Sequence, residues 1–196
     1  MASQVQICNI ALGNIGGKAS ISSITENSKE AIACNRVYDT VLRAVLRAHN
    51  WSFAKAYYTL ADLGSPPTHW SYRYSWPADC LKVREIVPAA TTDDPVLFEV
   101  GAGATASTKV ILTDKAEAEM VYTKLMDDPV AYPDDFTMTL AWHIAAAIAL
   151  PLSADLQLQQ SAFQTYLAYL GTSAASDSGE FHNQQRRTPE WMSGRA

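Results

Sequence analysis

The sequence contains few of the residue patterns that carry chemistry. Its three cysteines, Cys8, Cys34 and Cys80, lie far apart and form no C-x-x-C pair. No G-x-S-x-G segment marks an esterase nucleophile. The histidines lack ligand spacing to a Cys, Asp or Glu on one helix face. We therefore expect reduced, structural cysteines, no catalytic residue, no metal site and no cofactor.

Positive charge is also scarce. The chain has 15 Lys and Arg residues against 20 Asp and Glu, a net charge of −5. This balance excludes the broadly basic surface that duplex-binding proteins use to neutralise phosphates. The first residues lack a cationic region followed by an apolar run, so export by a signal peptide is not expected. The most apolar run, residues 136–152, is too short and polar to predict a bilayer span.

The apolar fraction of 48% is typical of a globular chain, and the stretch from Asn27 to Phe53 has its clearest periodicity. Apolar residues recur there at three- and four-residue steps, which predicts a long amphipathic helix. Asn27 is predicted to cap its first turn, with Glu30 reaching back. The pattern ends in the sequence His49-Asn-Trp-Ser-Phe, where we expect the helix to meet a different kind of structure.

Three further helices are predicted. The first covers residues 3–15 and ends at Gly16-Gly17. Another, from Phe136 to Leu150, is apolar nearly all round, which indicates burial between elements or between subunits. Pro151 is predicted to break it, and a last helix follows to about Leu170. The predicted inward stripe of this last helix is Leu156, Phe163, Tyr166, Leu167 and Leu170.

Between the second and third helices the pattern becomes β-like, with tyrosine, valine and isoleucine enrichment and intervening turn residues. The loops around residues 88–95 and 101–108 are small and polar, and they are candidates for contacts made on assembly. Short strands at these spacings predict one small antiparallel sheet or an open barrel. The six predicted strands are residues 53–60, 72–76, 81–87, 96–100, 109–112 and 118–125.

These patterns together predict an α+β fold: a four-helix bundle with an inserted antiparallel β-rich section and an extended C-terminal tail. The bundle is expected to be discontinuous, from residues 1–50 and 127–171, with the β-rich insertion at 51–126 and the tail at 172–196. We expect His49, Trp51 and Phe53 to form the junction between bundle and β section. Together with Trp142 of the apolar helix, they are also candidates for a subunit interface.

Two functional alternatives follow from side-chain types. Aromatic residues are dense between Trp51 and Trp76 and could stack single-stranded bases, but only Lys55 and Arg73 lie beside them. The paired acids Asp134 with Asp135, and Glu117 with Glu119, could serve a carbohydrate hydrolase. Adjacent acidic residues at a helix start usually cap the helix, however, and alternating acidic residues in a strand usually lie on its solvent-exposed face.

Five segments, in this order and spacing, resemble the tail tubular protein A family, the head-to-tail adaptors of short-tailed bacteriophages. The resemblance extends over essentially the whole chain, including the tail with Trp191, and rests on packing and turn motifs rather than a catalytic signature. The segments are NIALGNIGG (9–17), ISSITENS (21–28), HNWSFA (49–54), YSWPADCLKV (74–83) and YPDDF (132–136).

The resemblance implies a non-enzymatic structural protein of the virion, assembled in the host cytoplasm at the portal vertex of the tail. It implies a ring, typically of twelve copies, that joins the portal to a tail nozzle similar to tail tubular protein B. Double-stranded DNA would pass through the lumen without specific binding, and no membrane is involved. In related adaptors the C-terminal extension docks on the portal, which assigns that role here to Arg186, Arg187 and Trp191.

Overall fold

The computed structural model describes residues 2–17, 19–90, 94–103 and 108–180. Within these residues two helices precede the six strands and two follow them. Two short 3₁₀ helices, Ser52–Ala54 and Pro129–Ala131, lie where the chain changes from helices to strands and from strands back to helices. The helices are α1 (Gln4–Asn14), α2 (Lys29–Ala48), α3 (Asp134–Ser153) and α4 (Leu156–Glu180). The strands are β1 (Lys55–Thr59), β2 (Tyr72–Ser75), β3 (Cys80–Ile86), β4 (Phe98–Ala102), β5 (Lys109–Thr113) and β6 (Glu119–Lys124).

The helices are arranged around α3, and the predicted four-helix bundle is wrong. α1, α2 and α4 each pack mainly on α3. A bundle of four shares its core among four amphipathic stripes. Here α3 is apolar on nearly every side and supplies ten buried residues, so it serves as the central helix for the other three.

The strands form two sheets rather than the predicted single sheet or open barrel. The first sheet has the order β1-β6-β3 and the second has the order β2-β5-β4, with every pairing antiparallel. Buried side chains from both sheets form a hydrophobic group that is separate from the helical core. Its largest fully buried members are Tyr74, Ile86, Ile111 and Met120.

Local signals explain how the first two helices begin and end. Gly16, with φ +73°, closes α1 as predicted, since glycine takes the left-handed conformation without strain. The cap of α2 differs from the prediction: Ser28, not Asn27, accepts the bond from the N–H of Ala31 at 3.2 Å. Glu26 in turn accepts from the Ser28 hydroxyl at 2.7 Å, so a carboxylate supports the capping serine.

The C-terminal helices run farther than predicted. α3 continues through Pro151 to Ser153 and ends where Ala154 takes the left-handed conformation, with φ 54°. α4 continues past Leu170 to Glu180, so residues 172–180 are helical and do not belong to an extended tail. Ser173 explains the extension, because its hydroxyl lies 2.9 Å from the Thr139 hydroxyl and fixes this part of α4 to the start of α3.

Candidate assembly interface

The junction between helices and sheets begins where α2 ends. His49 takes an extended conformation after Ala48, and the chain turns so that Trp51 is buried with 2% of its surface exposed. The indole N–H of Trp51 donates back to the Val45 carbonyl at 2.9 Å. This bond gives the buried indole N–H a hydrogen-bond acceptor just beyond the end of α2.

Aromatic rings fix the direction in which the chain leaves α2. Trp51 meets Phe136 of α3 edge-on, with ring centroids 5.1 Å apart, and His49 edge-on at 5.0 Å. Phe53 packs on Phe136 at 4.8 Å and on Tyr132 at 6.0 Å. The structure therefore brings His49, Trp51 and Phe53 together and adds the first turn of α3 to them.

A buried carboxylate joins α4 to this turn. Asp177 accepts hydrogen bonds from the Ser52 N–H at 2.9 Å and from the Ser52 hydroxyl. The other carboxylate oxygen lies 3.2 Å from the His49 ring nitrogen Nε2. Because a buried carboxylate is costly without partners, these three contacts hold the end of α4 against the start of the β structure.

Two arginines connect the helices to the first sheet. Arg84 of β3 donates to the carbonyls of Trp51 at 2.6 Å and Asn50 at 3.1 Å, and to the Thr123 hydroxyl of β6. Partial burial lowers the pKa of the Arg84 guanidinium. Arg47 of α2 donates to the Leu81 carbonyl at 2.6 Å. The two arginines thus provide hydrogen-bond donors for the backbone carbonyls of Asn50, Trp51 and Leu81 across the junction.

The polar groups at the junction do not form a nucleophile relay. Ser52 and His49 both contact Asp177, whereas a Ser-His-Asp relay needs the histidine to contact the serine hydroxyl. Within residues 2–17, 19–90, 94–103 and 108–180, no group of three His, Cys, Asp or Glu side chains is placed to hold a metal ion. The arrangement stabilises a connection between elements.

Trp142 lies apart from the other three predicted interface residues. It is six residues beyond Phe136 on α3, and its ring stacks on Tyr169 of α4 with centroids 6.2 Å apart. The neighbouring His143 stacks on Tyr166 at 4.1 Å. Burial lowers the pKa of the His143 imidazole. Trp142 therefore belongs to the packing between α3 and α4.

The outer face of α4 carries most of its large apolar side chains. Tyr166 is buried and Leu170 half-buried, as predicted, but Leu156, Phe163 and Leu167 are 56%, 45% and 50% exposed. The predicted inward stripe is therefore wrong at these three positions. The buried side of α4 carries small and polar residues instead: Ala162, Ser173, whose hydroxyl contacts Thr139 of α3, and Asp177, which contacts Ser52 and His49.

A groove lies where this face meets α3. It has a volume of about 400 Å³ and is lined by His143 and Ala147 of α3 and by Leu156, Gln160 and Phe163 of α4. Between Asp135 and Asp177 the sequence contains one acidic residue, Asp155, and no lysine or arginine. An uncharged, partly apolar surface of this length is the composition expected of a protein-protein contact.

The remaining residues that the sequence singles out lie in different parts of the chain. Asp134 and Asp135 lie in the first turn of α3, as expected for a helix start. Glu119 is exposed on β6, and Glu117 lies in the turn before it with φ 47°. Arg186, Arg187 and Trp191 lie outside the described residues, as do residues 91–93 and 104–107 of the two loops expected to make assembly contacts.

The aromatic residues between Trp51 and Trp76 do not share one surface. Trp51 belongs to the helical core and Tyr74 to the core of the sheets. Tyr57 and Tyr58 of β1 are exposed, and the ammonium group of Lys55 lies 5.1 Å from the centre of the Tyr57 ring. A stacking platform would therefore be limited to β1 and its surroundings.

The sequence pattern does not indicate several residues of the junction, among them Ser52, Arg84 and Asp177. It places Asp177 in the predicted tail, because the last helix is predicted to end at about Leu170 and the residues after it are small and polar. A signal for it existed, since Ala162, Tyr166, Ser173 and Asp177 recur at helical spacing on one face. Arg84 had no such signal, because its partners are backbone carbonyls distant in sequence.

Comparison with known protein families found no matching family model, and comparison with curated proteins found no significant match.

α3 is long and apolar enough to cross a membrane, with a mean hydropathy of 1.5 over its most apolar window. Of that window, 56% is buried against the rest of the described chain. A buried core helix passes the same test, so this single helix is weak evidence of a span.

Proposed function

We propose that this chain is a structural adaptor of a short-tailed bacteriophage, one protomer of a ring that joins the portal to the tail nozzle. The ring has about twelve copies in this proposal, and the genome passes through its lumen. The proposal takes the identity of the partners from the resemblance of the five sequence segments to tail tubular protein A. It takes its physical support from the surface of α3 and α4.

The observation that carries the proposal is the exposed face of α4. The side chains of Leu156, Phe163 and Leu167 are between 45% and 56% exposed. The helix contains no charged residue from Leu156 to Ser176. An isolated chain loses stability and solubility by exposing such a face, whereas a chain that works in an assembly buries it. The groove beside Phe163 gives a partner side chain a place to insert.

The charge balance agrees with a passage for DNA. With a net charge of −5, the protomer does not present the basic surface that would retain a duplex through its phosphates. A passage lined by such a protein lets DNA slide with little attraction.

Binding to the portal protein of the same phage tests the proposal. The full chain should form a stable ring complex with portal, measured by mass photometry and electron microscopy. A chain that ends at Glu180 removes Arg186, Arg187 and Trp191 but keeps all of α4, and we expect it to lose the complex. Substituting those three residues by alanine should have the same effect. Alanine at Gln184, Gln185 and Thr188 provides the matched control and should bind portal normally.

A second candidate, binding of single-stranded nucleic acid, is favoured only by two exposed tyrosines of β1: Tyr57, whose ring lies 5.1 Å from the Lys55 ammonium group, and Tyr58 on the opposite face of the strand. In that case a labelled oligonucleotide should bind the chain without portal, and its affinity should fall steeply with salt. Tyr57→Ala and Tyr58→Ala should abolish that binding. This result, together with the absence of any portal complex, would contradict the adaptor proposal.

A further inference from the structure

Among the three described helices that pack on α3, two have a surface without charged side chains. One is the outer face of α4, where the residues from Leu156 to Ser176 include no acid or base. The other is α1, since residues 2–17 contain none either. On α1 the side chains of Ser3 and Gln6 are exposed and Ile10 is half-buried. The surface of α2 is different, with exposed Arg36, Asp39 and Arg43.

The two uncharged surfaces lie at different places on the protomer. α1 and α4 both pack on α3 and make little direct contact with each other. The buried residues of α1, Ile7, Cys8, Ala11 and Leu12, are used for the helical core, which leaves the Ser3 and Gln6 side for solvent. A protomer with two separate faces of the same kind can bind one neighbour with each.

Electrostatics determines what can cover the α4 face. A charged surface placed against Leu156, Phe163 and Leu167 would lose its hydration without gaining an opposite charge, which is unfavourable. An uncharged surface avoids this cost. Of the four described α-helices, α1 is the one that contains no Asp, Glu, Lys or Arg. Its Gln and Asn side chains, with the capping Ser3, are of the same kind as the Gln, Ser and Thr side chains between the apolar residues of α4.

The α4 face is longer than α1. The 21 residues from Leu156 to Ser176 extend over about 30 Å at 1.5 Å per residue, and the 11 residues of α1 over about 16 Å. α1 can therefore cover about half of the α4 face. The groove of about 400 Å³ beside Phe163 would admit a side chain from the covering surface.

We propose that the outer face of α4 in one copy packs on the outer face of α1 in the next copy. The contact is heterologous, because the two copies use different faces, so it propagates head to tail and closes when the rotation between copies allows. This inference rests on the ring proposed above and names the two surfaces that form it.

Charge insertion on each face tests the contact. Phe163→Glu and Gln6→Glu place a carboxylate at the centre of the α4 and α1 faces, and Leu167→Glu is a second α4 variant. We expect each variant alone to stay at the 21.4 kDa of the single chain under conditions where wild type assembles. Ala44→Glu adds the same charge on the exposed surface of α2 and should assemble as wild type does. Circular dichroism establishes that every variant is folded.

Mixing the variants tests the head-to-tail geometry. Phe163→Glu retains an intact α1 face and Gln6→Glu an intact α4 face, so an equimolar mixture should form one pair and stop there. Normal assembly of Gln6→Glu alone, with loss of assembly in both α4 variants, would indicate a symmetric contact of α4 with α4 and overturn the inference.

Other outcomes separate the inference from the ring proposal. If all α1 and α4 variants join a ring on portal as wild type does, the inference is wrong and the ring stands. If wild type forms open filaments and the mixture still gives a pair, the contact is right and the closed ring is wrong. Wild type that stays monomeric with and without portal contradicts both.

Discussion

Asp177 connects three parts of the chain with one carboxylate. It contacts Ser52 of the 3₁₀ turn and His49 at the end of α2, and it lies in the last turns of α4. Only 8% of its surface is exposed, so water cannot replace a lost partner. The residue therefore matters more for stability than its position near the end of the described chain suggests.

We expect Asp177→Asn to lower the free energy of unfolding by about 1.5–3 kcal/mol, the range for buried hydrogen bonds to a charged group. The amide keeps the shape but weakens the acceptor for the two Ser52 donors. Urea denaturation followed by circular dichroism measures the change. Asp94→Asn, the same substitution on an exposed loop, should leave stability within about 0.5 kcal/mol. Equal stability of the two variants would contradict the role assigned to Asp177.

At the residue scale, the sequence indicates proximity where the signal is local. His49, Trp51 and Phe53 come together because they are neighbours at a helix end, and any compact turn there joins them. Trp142 could not be placed in the same way, since its neighbour Tyr169 is 27 positions away and on another helix. Which face of α4 is buried also depends on α3, and the periodicity of α4 alone does not determine it.

At the scale of elements, the start of α2 depends on an ionised side chain. Glu26 accepts bonds from the hydroxyls of Ser28 and Ser22 and from the Ser22 N–H. These bonds lower the pKa of Glu26 from 4.5 to about 2, with the Ser28 bond as the largest cause. The folded chain therefore keeps this carboxylate ionised at pH values where the unfolded chain has protonated it.

This difference predicts a loss of stability in acid. Between pH 4.5 and about 2 the unfolded state binds more protons at Glu26, so the contribution is complete above this window and disappears as the pH falls through it. Glu26→Gln should lower the melting temperature at pH 6 and flatten its dependence on pH across that window. Glu119→Gln, on the exposed face of β6, should leave the acid profile as in wild type. Identical profiles for Glu26→Gln and wild type would refute this explanation.

Element existence was easier to predict than element length. All six strands are where the alternation of apolar residues places them, within two residues at each end. Their division into two sheets was not predicted, because pairing joins strands distant in sequence, such as β1 with β6. α4 passes through Gly171 because the bonds of Ser173 and Asp177 compensate for the roughly 1 kcal/mol that a glycine costs in a helix.

At the scale of the molecule, two hydrophobic groups share one chain. The helical core includes Trp51 and Leu81, whereas the core of the sheets is built around Tyr74 and Met120. Polar contacts cross the boundary, mainly from Arg84 and Arg47 to backbone carbonyls. The stability of the sheets is therefore linked to that of the helices by these hydrogen bonds and by Leu81 of β3, which is buried in the helical core.

We expect Arg84→Met, which keeps the volume and removes the donors, to loosen this link. Amide hydrogen exchange in β1, β3 and β6 should become faster, while exchange in α2 and α3 changes little, because the helical core does not need the arginine. Mass spectrometry of peptides from each element measures both. Arg73→Met in β2 is the control, as Arg73 bonds to Leu63 within the β structure. Uniform acceleration in all elements would contradict the separation of the two cores.

The central position of α3 also affects synthesis. The apolar stripe of α2, with Tyr38, Val41 and Leu42, packs on α3. The ribosome completes α3 only after it has added about 105 residues beyond the end of α2, from Ala48 to Ser153. At 5–20 residues per second this interval is roughly 5–20 s. Throughout it the nascent chain exposes a continuous apolar surface, so every newly made copy depends on reaching α3 before it aggregates with another.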